Sequence, residues 1–210
     1  MNVLVACEES QRVCTAFRER GHTAWSCDIL PCSGGHPEWH ILGDCLPLLN
    51  GNCDFTTEAG GGHSMSGKWD LIIAHPPCTK TSNAGAKHLY RGNKLNIPRY
   101  YEGLCGKALF LAIWAADCER VVVENPMPSS IFEFPAPTQI IQPYEYGHPV
   151  RKKTLLWERG VPLLKPTQIV KPTANCHEAR TWFTKGGKER QKNRSKTFPG
   201  IASAMAEQWG

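Results

Sequence analysis

Trp69–Ala74 is an apolar run short enough for a buried strand, and it stops at His75-Pro76-Pro77-Cys78-Thr79. Arg120–Val123 is a second such run, and it stops at Glu124-Asn125-Pro126. The Cys78 thiol and the Glu124 carboxyl both sit beside proline, which fixes φ, removes a backbone donor and stiffens the loop. In an open α/β sheet, ligands bind beyond the carboxyl ends of the strands, so both groups are delivered to where chemistry is done. A thiolate with a carboxylic acid meets the needs of conjugate addition to a ring. The sulfur attacks, and the acid donates a proton to the ring nitrogen that gains electron density. The plain alternative is a buried cysteine that fills a strand end.

The surrounding pattern supplies the frame. Met1–Ala6 reads as a first strand, followed by a helix capped by Ser10 that runs to about Arg20, with Val13 and Phe17 on one face and Gly21 as its stop. His22–Cys27 is a second strand ending at Asp28, and Trp39–Leu42 a third ending in Gly43-Asp44. Strand, helix and a second strand closed by an acid form the first half of a nucleotide-binding α/β unit, whose acid accepts hydrogen bonds from ribose hydroxyls. Thr79–Asn96 reads as a polar loop and Gly103–Asp117 as a helix with Leu104, Ala108, Leu111 and Ala112 on its apolar stripe. Gln139–Gln142 and Thr154–Trp157 are shorter strands, and Ile201–Trp209 is a closing helix after Pro199-Gly200. Alternating strands and helices predict an α/β fold with a mainly parallel sheet covered by helices on both faces.

With 210 residues the chain is expected to form one domain. No apolar run approaches the roughly 18 residues of a membrane helix. Met1–Ala6 is too short for a signal-peptide core and lacks a basic flank. A cytoplasmic protein is expected, its ten cysteines kept as thiols. The net charge is +5, but between Lys165 and Lys196 nine basic residues face only Glu178 and Glu189. That stretch suits a polyanionic partner, or else forms a solvated tail. Cys27, Cys32, His36 and His40, with Cys45, Cys53 and His63 nearby, are ligand types at tolerable spacing for zinc. Cys27, however, adjoins Asp28 within an expected strand, and these residues are read as ordinary loop and strand positions, with no metal.

Pro76-Pro77-Cys78-Thr79-Lys80-Thr81-Ser82-Asn83-Ala84-Gly85 resembles the Pro-Cys-Gln-x-Phe-Ser-x-Ala-Gly loop of the DNA (cytosine-5)-methyltransferases. Glu124-Asn125-Pro126 resembles their Glu-Asn-Val motif, and Arg151-Lys152-Lys153 their Gln-x-Arg-x-Arg motif ahead of a strand. Asp28 and Gly43-Asp44 match the acidic positions that hold the cofactor in that family. The four groups follow the family order across most of the chain. The resemblance implies a Rossmann-like class I S-adenosylmethionine-dependent methyltransferase fold spanning residues 1–210. Cys78 would attack C6 of cytosine, Glu124 would protonate or hydrogen-bond N3, and Arg151 and Lys153 would hold O2 or nearby phosphates. The cofactor S-adenosylmethionine would be bound by Cys7, Glu8, Asp28, Ile29, Asp44, Cys45 and Pro77. DNA, with its base flipped out or already single-stranded, would meet Ser82 and Gly85 on the closing loop.

The departures are equally specific. The first turn, Cys7-Glu8-Glu9-Ser10-Gln11, has no glycine, so Glu8 or Glu9 is the candidate for the methionine ammonium. Thr79 replaces the glutamine after the nucleophile, and Pro199-Gly200-Ile201 is all that stands for the closing Gly-Asn motif. Residues 158–197 leave little room for a large target-recognition region. Lys188, Arg190, Lys192 and Arg194, with Trp182 and Phe183 in the same basic stretch, are instead expected to form a small nucleic-acid-engaging segment. A compact form of this kind suits a phage or another mobile element acting in a bacterial cell. Other readings are the same chemistry on single-stranded nucleic acid or a free nucleotide, an inactive binding domain, and an amino-methyltransferase. The last uses a polar residue and an aromatic around Pro-Pro, and His75-Pro76-Pro77-Cys78 has neither in the usual place. Residues do not indicate the oligomeric state.

Overall fold

Near-continuous apolar runs mark strands buried on both faces. In the computed structural model, which describes residues 1–175 and 196–210, Val3–Ala6, Leu71–Ala74 and Val121–Val123 form the fully buried centre of one sheet. In chain order the elements are β1 (Asn2–Ala6), α1 (Arg12–Glu19), β2 (Thr23–Asp28), β3 (His40–Leu42), β4 (Cys53–Thr56), β5 (Gly62–Met65) and β6 (Leu71–Ala74). There follow β7 (Tyr90–Arg91), β8 (Lys94–Leu95), α2 (Ile97–Trp114), β9 (Val121–Asn125), β10 (Gln139–Ile141), β11 (Val150–Arg151), β12 (Thr154–Arg159), β13 (Ala174–Asn175) and α3 (Pro199–Trp209).

The seven-stranded sheet has the order β10-β12-β9-β6-β1-β2-β3. Its strands β3, β2, β1, β6 and β9 are parallel, and β12 runs antiparallel to both β9 and β10. The architecture is therefore α/β with a mostly parallel sheet, compatible with a Rossmann-like fold. From β1 the chain moves outward through β2 and β3, then returns to place β6 on the other side of β1. The strand order reverses between β1 and β6, and outside the carboxyl ends at such a switch point open α/β sheets have their ligand crevice.

Successive strand residues point to opposite faces, and each face is covered. Val3, Val5 and Ile73 pack with Val13 and Phe17 of α1 and Met205 and Trp209 of α3. Leu4, Ile72 and Val123 pack with Phe110 and Ile113 of α2 and with Trp157 and Trp69. Among the described residues no helix is long and apolar enough to cross a membrane.

Two helices differ from the sequence reading. α1 starts after Gln11, and its capping group is Glu8, not Ser10: the Glu8 carboxylate accepts hydrogen bonds from Val13 N (2.7 Å) and Cys14 N (3.1 Å). α2 begins well before Gly103. Asn96 caps it by accepting from Arg99 N, and Pro98 lies in the first turn, where a missing N–H is harmless. Its Leu104–Leu111 stripe faces outward, with Leu104 38% and Leu111 39% exposed. The buried face is Gly103, Phe110 and Ile113. A Cβ on Gly103 would lie 2.2 Å from the Phe132 ring, so that ring packs on bare backbone.

Gly200 makes a similar close approach at the start of α3, where a Cβ would stand 2.0 Å from the Tyr146 carbonyl oxygen. Its N–H donates to His148 Nε2 at 2.9 Å. Gly200→Ala is expected to destabilise the protein by about 1–3 kcal/mol, the usual range for overpacking, measured as a lowered urea midpoint at unchanged m-value.

Candidate active site

β6 and β9 are parallel neighbours with Ala74 opposite Val123. The next residues, His75 and Glu124, therefore stand side by side at the carboxyl ends, with His75 Nδ1 3.3 Å from Glu124 Oε2. Beyond the sheet the two chain segments stay clasped. Asn125 Nδ2 donates to the Pro76 carbonyl (3.4 Å), Asn83 N to the Met127 carbonyl (2.8 Å) and Ser129 N to the Thr81 carbonyl (2.8 Å). Ser82 and Pro128 form an antiparallel bridge between the same segments. Cys78 lies within this clasp, half-buried, its carbonyl accepting from Thr81 N and Ser82 N. The structure thus brings the loop of Cys78 and the strand end of Glu124 together, as two adjacent parallel strands must.

The loop after Cys78 is folded back on itself. Gly85 is buried, and a Cβ there would stand 2.5 Å from the Thr79 carbonyl oxygen. Arg99 of α2 ties both ends of this turn, its Nη2 donating to the carbonyls of Thr79 (3.0 Å) and Gly85 (3.2 Å). Lys80 pairs with Glu102. Ser82 is buried in the bridge to Pro128.

Burial alone would raise the Glu124 pKa, but the hydrogen bond with His75 and the positive charges of Lys152 and His75 outweigh it and hold the carboxyl below its usual range. For His75, burial alone would lower the pKa. The hydrogen bond and charge of Glu124, with the charge of Glu8, overcome it and raise the imidazole above its usual value. The basic side chain whose charge reaches this pair is Lys152, half-buried between β11 and β12, with Nζ 5.8 Å from the centre of the Phe198 ring. Arg151 and Lys153, the two positions implied by the resemblance, are exposed. Residues alternate in direction along extended backbone, so the middle residue of the triplet turns inward and its neighbours turn out.

On the other side of the crevice, Cys7, Asp28, Asp44 and Cys45 follow or close the carboxyl ends of β1, β2 and β3. The Cys7 and Cys45 sulfurs are 4.0 Å apart. The contact with Cys45, burial and the charge of Asp28 all push the Cys7 thiol up. Asp28 is half-buried and uses Oδ1 to accept Leu30 N (2.9 Å); burial raises its pKa. Ile29 and Pro77 are exposed, and Asp44 is exposed with Oδ1 accepting Leu46 N (3.0 Å). Glu8 differs from its expected place. It is buried, committed to the N–H groups of α1, and its pKa is raised by burial. Glu9 is buried as well and accepts the Ser33 hydroxyl.

The glycine-free first turn reaches the left-handed region without glycine, at Cys7 (φ 57°) and Gln11 (φ 55°). Such backbone is uncommon for ordinary residues and persists only where the surroundings over-determine it. Here the Gln11 side chain does so, donating to Ser26 Oγ (3.2 Å) and the His36 carbonyl (2.8 Å) and accepting His36 N (3.0 Å). The close approach comes from the following loop: a Cβ on Gly34 would stand 2.5 Å from Gln11 Cβ.

The zinc-type side chains are engaged individually. His40 is buried between Ser26 Oγ and the Leu30 carbonyl, His36 stacks on Trp39, and Cys27 Sγ donates to the Gly43 carbonyl. Among the described residues no three metal-ligating side chains converge. Lys188, Arg190, Lys192 and Arg194, with Trp182 and Phe183, lie outside the described residues.

Sequence reasoning passed over His75, Lys152 and Arg99. His75 carried one usable signal: like Glu124, it is the first polar residue after a buried apolar run. No family model matches the chain, and no curated protein matches it.

Proposed function

We propose that this protein transfers a methyl group from S-adenosylmethionine to C5 of cytosine in DNA, through a covalent adduct of Cys78 at C6, within a class I methyltransferase fold. The observation that carries the reading is the clasp between the β6 and β9 ends, which holds the loop that bears the half-buried Cys78 against the strand end that bears the largely buried Glu124. The four motif groups that resemble the DNA (cytosine-5)-methyltransferases support it from the sequence.

The crevice between β1 and β6 fits the cofactor. Asp28 offers a carboxylate for ribose hydroxyls, and the exposed Ile29 and Pro77 offer apolar surface to a base. Cys7, Asp44 and Cys45 complete the seat, while Glu8 serves it indirectly by fixing the start of α1. When bound there, S-adenosylmethionine supplies the electrophilic methyl group. The chain does the rest. The Cys78 thiolate forms the S–C6 bond, a proton delivered at Glu124 neutralises N3, and C5 becomes nucleophilic. After methylation, with S-adenosylhomocysteine as the leaving group, the C5 proton passes to solvent, its electron pair re-forms C5=C6, the S–C6 pair returns to sulfur as thiolate, and N3 gives its proton back at Glu124. A cytosine stacked in a duplex is out of reach of this loop, so the base must be extruded or unpaired. The reaction belongs in the cytoplasm of a bacterial or phage-infected cell.

The deciding experiment incubates the full chain with tritiated-methyl S-adenosylmethionine and, in separate arms, duplex DNA, single-stranded DNA, RNA or dCTP. Label in cytosine C5 of DNA supports the reading, and label confined to another arm changes the substrate while keeping the chemistry. An absence of both transfer and S-adenosylmethionine binding sinks it. DNA carrying 5-fluorocytosine should form a covalent complex with Cys78, which transfer to an exocyclic amine would not produce.

Lys152 gives a second expectation. Its charge acts on Glu124 and His75, whereas Arg151 and Lys153 point away. Lys152→Met should therefore lower kcat about tenfold or more, within the range for disturbing general acid catalysis. Arg151→Met and Lys153→Met should instead weaken DNA binding and its salt dependence.

A further inference from the structure

His75 is a largely buried ionisable group beside Glu124 to which the reaction above gives no task. Its side chain is 9% exposed, its backbone N–H donates to the Ala6 carbonyl, and its Nδ1 faces Glu124 Oε2 at 3.3 Å. Its Nε2 is buried with no hydrogen-bond partner among the described residues. A buried polar atom left so is costly, a penalty that an apolar residue at this strand end would avoid. The charged groups acting on the ring are Glu124 on β9, Glu8 after β1 and Lys152 ahead of β12. β1, β6 and β9 are adjacent, so Glu8, His75 and Glu124 lie at three neighbouring strand ends, and both carboxyl groups act on the imidazole.

We propose that His75 is a positioning residue that stores the proton Glu124 passes to the pyrimidine. The inference rests on the methyl-transfer reading. In this role the resting pair is imidazolium and carboxylate, the state that each partner favours in the other. As the Cys78 thiolate attacks C6, the C5–C6 π electrons shift to C5–C4 and the C4–N3 π electrons to N3. The Nδ1–H bond breaks, the proton passes by way of the Glu124 carboxylate to N3, and neutral imidazole remains. When the adduct collapses and the S–C6 electron pair returns to sulfur, N3 yields its proton back along the same path. Thiolate and imidazolium are neutralised together, and Glu124 begins and ends as a carboxylate. The positive charge of Lys152 opposes holding the proton on the pair and favours its release to the ring. Glu8 favours keeping it, which sets the pair between the two.

The test separates orientation from proton storage. Asparagine keeps a donor near the Nδ1 position and cannot ionise, so His75→Asn preserves the hydrogen bond to Glu124 and removes the stored proton. In the ligand-free protein, ring-nitrogen NMR should show His75 titrating above its ordinary value of about 6.5, and lower in Glu124→Gln. With 5-fluorocytosine DNA, the wild type should trap at a rate that falls as pH rises through that titration. His75→Asn should trap at least about tenfold more slowly on the acid side of that titration, and the gap should close on its alkaline side, where the wild-type imidazole has lost its proton as well. A His75 ring that stays neutral from about pH 5 to 8 overturns the inference whatever the activity. So does a His75→Asn variant with the wild-type rate and pH profile, and it does so alone if the wild type is trapped normally. If the wild type neither transfers methyl nor traps, the methyl-transfer reading falls first and takes this role with it.

Discussion

Cys78→Ser is expected to abolish methyl transfer to cytosine, and with it the covalent complex on 5-fluorocytosine DNA, while S-adenosylmethionine binding and the unfolding midpoint stay as in the wild type. The change is nearly isosteric, and Cys78 is only half-buried. Stability should therefore move by no more than about 0.5 kcal/mol, as at other positions outside the core. The clasp that carries the residue is built from backbone hydrogen bonds of Cys78, Thr81, Asn83 and Ser129, none of which needs the thiol. Chemistry is another matter. A hydroxyl is far less ionised than a thiol at neutral pH and far less nucleophilic without an adjacent base. Removing a nucleophile from a constellation that acts as a unit costs orders of magnitude in kcat. Tritium transfer and adduct formation measured side by side with cofactor binding by calorimetry give the contrast directly. A serine variant that still methylates cytosine would remove the covalent step from the mechanism.

Glu124→Gln should lower kcat by about 10²–10⁴-fold, the usual contribution of general acid–base catalysis, and should also change how stability depends on pH. Glu124 titrates below its ordinary value of 4.5 in the folded protein, and His75 above its ordinary 6.5. The Glu124 contribution is present above 4.5 and is lost as pH falls through the lowered folded value. The His75 contribution is full below 6.5 and is lost as pH rises through the raised folded value. Together they stabilise the wild type most between 4.5 and 6.5. Glutamine removes one charge and leaves an amide beside His75, so the maximum in that window should flatten. The loss there should be about 1–3 kcal/mol, the scale of a buried hydrogen bond to a charged group. Urea unfolding across pH reads the stability effect, and single-turnover methyl transfer reads the chemical one. A variant with wild-type turnover would show that N3 is protonated elsewhere.

The strands were legible because a strand buried on both faces has to be apolar throughout. Val3–Ala6, Leu71–Ala74 and Val121–Val123 stand out in the sequence for that reason, and their carboxyl ends mark Cys78 and Glu124. Helices were less legible. The apolar stripe of α2 pointed to the wrong face because its tightest inward contact is made by Gly103, which contributes no hydrophobic signal and works by letting Phe132 reach the backbone. Ser10 is the local capping type ahead of α1, but the buried Glu8 from the preceding strand end occupies the free N–H groups instead.

The amino-acid sequence alone carries the α/β class with a mainly parallel sheet, the two strand ends that lead to Cys78 and Glu124, and the acidic residues that close β2 and follow β3, since each depends on local pattern. What it left open depends on which strands become neighbours. The pairing of His75 with Glu124 joins residues that share no local pattern, and only the register of β6 against β9 makes them adjacent. The inward turn of Lys152 between two outward basic residues is set in the same way, by the backbone course into β12. Cys78 and Glu124 stand out as candidates in the sequence itself. Tertiary structure decided that a buried histidine stands with the acid, because charge and burial act through space and not along the chain.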